Sequence, residues 1–167
     1  MPATAVKKLR ADSGFYSKTV VEWSEAEGCT FTITADQTAP LLAAIVAVPA
    51  GRWRNLPEYE LAEVTELRYQ PSGWSRPYRY VVKREVAETK AGDLYWRYHA
   101  TVTNEEAWSA REVVVWHLQH AAMENAIREA RSPASTPPGG GTLWPRAELK
   151  GEDIKVLPTK TRRLARA

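Results

Sequence analysis

The sequence is poor in several things that would point to a function. It holds one cysteine, Cys29, in 167 residues. That excludes an internal disulfide framework and any multi-cysteine metal cluster. No apolar run approaches the ~18 residues of a membrane span. The stretch Met1 to Arg10 has no apolar signal-peptide core, so the expected location is the cytoplasm. A strong charge of one sign is also missing. The net charge is +3, and residues 133–167 alone carry a balance of +4 while residues 1–132 carry −1. A near-neutral body is no electrostatic signal for nucleic acid. What is present is an ordinary globular composition, 44% hydrophobic and 26% charged, with seven tryptophans and eleven unevenly placed prolines.

Period and punctuation divide the chain. Val6–Ala11 reads as a short strand ending at the turn Asp12-Ser13-Gly14. A helix is expected over Phe15–Ala26, stopped by Gly28. Cys29–Ala35 alternates Phe31, Ile33 and Ala35 against Thr30, Thr32 and Thr34, a period-two strand. Gln37–Val48 is apolar and alanine-rich, a helix entered through Pro40. This strand–helix–strand–helix unit predicts two parallel strands. Three β-like runs follow, Glu60–Gln70, Arg79–Val86 and Tyr95–Thr103, broken at Pro71-Ser72-Gly73 and Lys90-Ala91-Gly92-Asp93. They predict an antiparallel meander within about residues 52–104. Ser109 and Glu112 have capping-box spacing, and the helix they open continues to about Arg131. From Ser132 the text turns to proline, glycine and basic residues. Residues 133–167 are expected to be a disordered tail, leaving 1–132 as the α/β body.

Three constellations could carry chemistry. Asp12 follows a strand, where an α/β sheet places its sites. Asp-Ser-Gly is equally good turn and capping chemistry. His117, His120, Glu124 and Arg131 share one helical face. The first three could ligate zinc, but a solvated face is the stronger reading of that spacing. Trp74-Ser75-Arg76-Pro77-Tyr78-Arg79-Tyr80 interleaves aromatics with arginine, which suits stacking on bases and pairing with phosphates. It equally describes a hairpin whose aromatics cover the core while its arginines are solvated.

The string Arg10-Ala11-Asp12-Ser13-Gly14-Phe15-Tyr16 resembles the second catalytic-aspartate motif of bacterial insertion-sequence DDE transposases, whose catalytic domain is RNase H-like. Glu66-Leu67-Arg68-Tyr69 and Gly73-Trp74-Ser75-Arg76-Pro77-Tyr78 resemble the β-rich insert of that family, and Met123-Glu124-Asn125 the helix carrying its third acid. The resemblance covers about residues 6–132. It implies metal-dependent DNA cleavage and strand transfer at transposon ends, with Asp12 and Glu124 as Mg²⁺ carboxylates. It implies DNA contacts from the helix positions His117, His120 and Arg131, while in a non-enzymatic DNA-binding protein the contacts would come from Arg76, Arg79 and the basic tail. In the family's tyrosine–arginine–glutamate–lysine helix signature, aligned on Glu124, His117 stands at the tyrosine position, His120 at the arginine and Arg131 at the lysine.

The family's first aspartate, on the central strand, has no counterpart among residues 1–11. Asp36 cannot replace it, because the family's strand order puts it on the wrong side of Asp12's strand. The resemblance therefore implies a truncated, inactive copy of the catalytic domain. Alternatives are a non-enzymatic DNA-binding or transposase-binding regulator and a small metal module. The family's strand order also leaves Val6–Ala11 at a sheet edge. From that edge, self-association or docking onto a complete transposase is expected.

Overall fold

The computed structural model describes residues 7–119. Its elements are β1 (Lys8–Ala11), α1 (Lys18–Ala26), β2 (Thr30–Thr34), α2 (Ala39–Val46), β3 (Arg54–Asn55), β4 (Ala62–Tyr69), β5 (Tyr78–Glu88), β6 (Leu94–Thr103) and α3, a helix over 110–119. The expected tail, and the expected helix beyond residue 119, lie outside the described residues.

The start of α1 departs from expectation. Two capping side chains lie close together and divide the stretch. Asp12 caps a short 3₁₀ turn, Ser13–Phe15. Ser17 then caps α1, its Oγ accepting from the Val20 N–H at 3.2 Å. Gly28 closes the helix as expected. Its φ of 63° lies in the left-handed region that glycine tolerates. Thr38 caps α2, with proline in the first turn.

All strands join one six-stranded sheet in the order β1-β2-β6-β5-β4-β3. β1 and β2 are parallel, with Ala11 opposite Ile33, and the other pairs are antiparallel. The expected parallel pair is present, and among the described residues β1 is an edge. The pair is not a two-stranded core, however, because β2 continues into the meander through β6, with Ile33 opposite Val102. Asn104 lengthens that seam. Its Oδ1 accepts from the Phe31 N–H at 2.8 Å and its Nδ2 donates to the Cys29 carbonyl at 3.0 Å. The two-residue β3, on the far edge, was not expected.

The alternation of β2 sorts the two faces. Phe31 and Ile33 point to a core shared with Val21, Leu41, Ile45, Tyr80 and Val102. Thr32 and Thr34 point to the opposite face, where α3 lies and His117 reaches them. There Val113 and Val114 pack with Leu56, Ala62, Val64 and Val81. Both faces of the parallel segment are thus covered, as parallel strands require.

Candidate functional site

Asp12 follows β1 with its backbone still extended and its side chain exposed. Its Oδ1 accepts from the Gly14 N–H at 2.9 Å. A Cβ on Gly14 would stand 3.1 Å from that oxygen, so this close turn favours glycine. The loop is anchored at its far end by Tyr16, whose hydroxyl meets that of Tyr80 on β5 at 2.9 Å. The Tyr16 ring also lies against Trp74 from the β4–β5 turn, with centroids 5.3 Å apart. Burial raises the Tyr80 phenol far above its ordinary range, and the hydrogen bond to Tyr16 adds to the rise. Both phenols therefore stay neutral, and this link between loop and sheet persists at any ordinary pH. Phe15, between these anchors, is 58% exposed.

A hard carboxylate oxygen suits Mg²⁺. Yet among the described residues no group of three or more His, Cys, Asp or Glu is placed to hold a metal ion. These residues alone do not make a two-ion site. Glu124, the second expected carboxylate, lies outside the described residues, as do His120 and Arg131.

The remaining expected residues are placed as follows. His117 is buried, not on a solvated helical face. Its Nδ1 lies 2.8 Å from Thr32 Oγ1 and its Nε2 2.9 Å from Thr34 Oγ1. Both ring nitrogens are engaged by the sheet, so zinc ligation would require breaking one of these contacts. Arg79 is buried as well. It pairs with Glu66 and donates to the carbonyls of Glu105 at 2.5 Å and Trp108 at 2.9 Å. It thereby fixes the loop that leads into α3. Arg76 remains exposed, ion-paired with Glu25 and stacked over the Tyr78 ring at 4.1 Å. The sequence expectation of solvated arginines in this hairpin holds for Arg76 and fails for Arg79. A buried guanidinium needs partners, and Glu66 with two carbonyls provides them.

Ser109 and Glu112 form the expected capping box. The Ser109 N–H donates to Glu112 Oε2 at 2.7 Å, and the Glu112 N–H donates to Ser109 Oγ at 3.2 Å. These bonds, backbone first, lower the Glu112 carboxyl from its ordinary value.

One cluster escaped sequence reasoning. Lys8 and Arg10 alternate onto the α3 face of β1. Lys8 Nζ lies 3.9 Å from the Trp108 ring centroid, and Arg10 Cζ lies 3.7 Å from that of Trp116. The two indoles meet edge to face at 5.6 Å. The available signal was the parity of Lys8, Arg10 and Asp12 along one strand.

Among the described residues no helix is long and apolar enough to cross a membrane. Comparison with curated proteins finds no match, and comparison with solved structures finds none. The family model described as the transposase DDE domain, group 1, matches residues 2–136. An Asp-bearing turn after a parallel strand, a β-rich middle and a helix folded back over that strand agree with it, and the chain belongs to the DDE transposase family, whose domain is RNase H-like.

Proposed function

We propose that this domain serves the DNA cleavage and strand-transfer chemistry of an insertion-sequence transposase, acting at transposon ends. Asp12 and Glu124 are its metal carboxylates and Arg76 is one of its DNA contacts. The observation that carries this reading is the Asp12 loop, exposed at the end of a parallel strand and braced by Tyr16 against β5. Bracing of this kind holds a charged ligand in one geometry before substrate arrives. Two-ion phosphoryl transfer needs carboxylates that clamp both the attacking and the leaving oxygen. Among the described residues no group of three or more His, Cys, Asp or Glu is placed to do so. On this reading the chain by itself engages DNA without cutting it. The test is nicking of supercoiled plasmid with Mg²⁺ or Mn²⁺. No nicking is expected. Nicking that both Asp12→Ala and Glu124→Gln abolish would show a complete catalytic site and overturn this reading.

The edge position of β1 among the described strands favours a second, compatible role. A strand with one neighbour offers unpaired backbone groups to another chain. We propose self-association, or pairing with a complete transposase, through β1. Light scattering after size exclusion should show mass rising with concentration. A mass equal to one chain at every concentration, with no complex on mixing with a complete transposase, would remove this role.

A further inference from the structure

Most cations of the described residues are already neutralised. Arg68, Arg76, Arg79 and Arg111 hold Glu106, Glu25, Glu66 and Glu58. Arg52 and Arg54 donate to backbone carbonyls. Lys8 and Arg10 differ. Neither is ion-paired with a described carboxylate, and both lie over tryptophan rings. Arg10 Nε is buried with no hydrogen-bond partner among the described residues. Stacking uses the face of a guanidinium and leaves its in-plane donors suited to a bidentate phosphate. Trp108, just before α3, and Val115 and Trp116 on α3 line a cleft of about 720 Å³, and the two cations lie against its indoles. The acids on its rim are engaged, Glu58 by Arg111 and Glu112 by Ser109. The strand bearing the two cations delivers Asp12 two residues later.

From this juxtaposition we infer that Lys8, Arg10, Trp108 and Trp116 form a binding surface for single-stranded DNA, with the two cations on successive phosphates and the indoles stacking an unpaired base. The inference rests on the transposase reading and assigns it a strand-holding surface next to the Asp12 loop. Two cations without an ion-pair partner among the described residues, beside two part-exposed indoles, are the combination that binds single strands without regard to sequence. Stacking on tryptophan needs an unpaired base, so duplex DNA fits this surface less well.

The test is fluorescence anisotropy of the full chain with a labelled mixed-sequence single-stranded oligonucleotide at NaCl from about 50 to 200 mM. Each phosphate contact adds about 0.7 to the slope of log affinity against log salt. Lys8→Gln, at an exposed position, should lower the slope by about 0.7, and Lys8→Gln with Arg10→Gln by about 1.4. Lys90→Gln, an exposed lysine in the β5–β6 turn, should leave it unchanged. Trp116→Leu should weaken binding about fivefold or more with the slope intact. Binding by the unaltered chain with a slope that the Lys8 and Arg10 changes do not move, or that Lys90→Gln moves as much, would overturn this surface and leave the transposase reading standing. No binding of any DNA by the unaltered chain would overturn both.

Discussion

Glu85 contacts three basic side chains on the α3 face of the sheet, and its removal should be the most damaging charge change in the described body. Its Oε2 lies 2.7 Å from Lys83 Nζ, and its Oε1 accepts from Arg97 Nε at 2.8 Å and lies 3.3 Å from His99 Nε2. The β5–β6 register sets this up, with Lys83 opposite His99 and Glu85 opposite Arg97. The Lys83 side chain is 1% exposed, so without Glu85 an ammonium stays deep in the fold beside Tyr59. Removing one partner of a buried pair costs about 3–5 kcal/mol. A domain holds about 5–15 kcal/mol in all, so Glu85→Gln takes a large share. In urea, at about 2 kcal/mol per M, the unfolding midpoint should fall by about 2 M. Joint replacement, Lys83→Met with Glu85→Leu, should recover most of the loss, because Arg97 and His99 can turn to solvent. Acid provides an independent reading of the same group. Burial alone would raise the Glu85 carboxyl. Hydrogen bonds from His99 and Lys83, the Lys83 charge and the Arg97 hydrogen bond together outweigh it and hold the carboxyl far below its ordinary 4.5. Its stabilisation is therefore complete above the unfolded-state value and is lost as pH falls toward the folded one. Glu85→Gln should flatten the acid limb of the stability curve below about pH 4.5. A loss under about 1 kcal/mol, or a double variant no more stable than the single one, would refute the argument.

Two further perturbations address the Asp12 region. Tyr16→Phe strands the buried Tyr80 hydroxyl and should cost about 1–3 kcal/mol, with faster hydrogen exchange at the Phe15 and Tyr16 amides; unchanged exchange would mean the loop is held by something other than this bond. Ser17→Ala removes the α1 cap and should cost about 1 kcal/mol by thermal or urea unfolding, and a neutral result would mean that packing alone sets the start of α1.

The local grammar of this chain was legible where one residue type had one job. The alternation of Phe31 and Ile33 with threonine gave the strand and its two faces. Gly28 marked a helix end because no other residue enters the left-handed region so readily. Ser109 and Glu112 marked a helix start because their side chains satisfy each other's backbone. What stayed hidden depends on partners far away in sequence. Nothing local says that β2 pairs with β6, a contact sealed by Asn104 some 73 residues from Phe31. His117 looked solvated because it is polar at helical spacing. It is buried because the threonine face of β2 offers two hydroxyls to its two nitrogens. Arg79 looked like a surface cation because it alternates with aromatics in a hairpin, and it became a structural one through Glu66 and two carbonyls. The Asp12 motif was readable as a turn and by resemblance as a site. Its bracing by Tyr80, 64 residues on, was not.

The central claim is that the Asp12 loop is the metal-carboxylate loop of a DDE transposase domain. The most direct measurement is the broadening of backbone amide signals by Mn²⁺, compared between the unaltered chain and Asp12→Asn. The account predicts broadening centred on Gly14 and Phe15 in the unaltered chain and its loss in the variant. Broadening centred elsewhere, or broadening at Gly14 and Phe15 that survives Asp12→Asn, would contradict it.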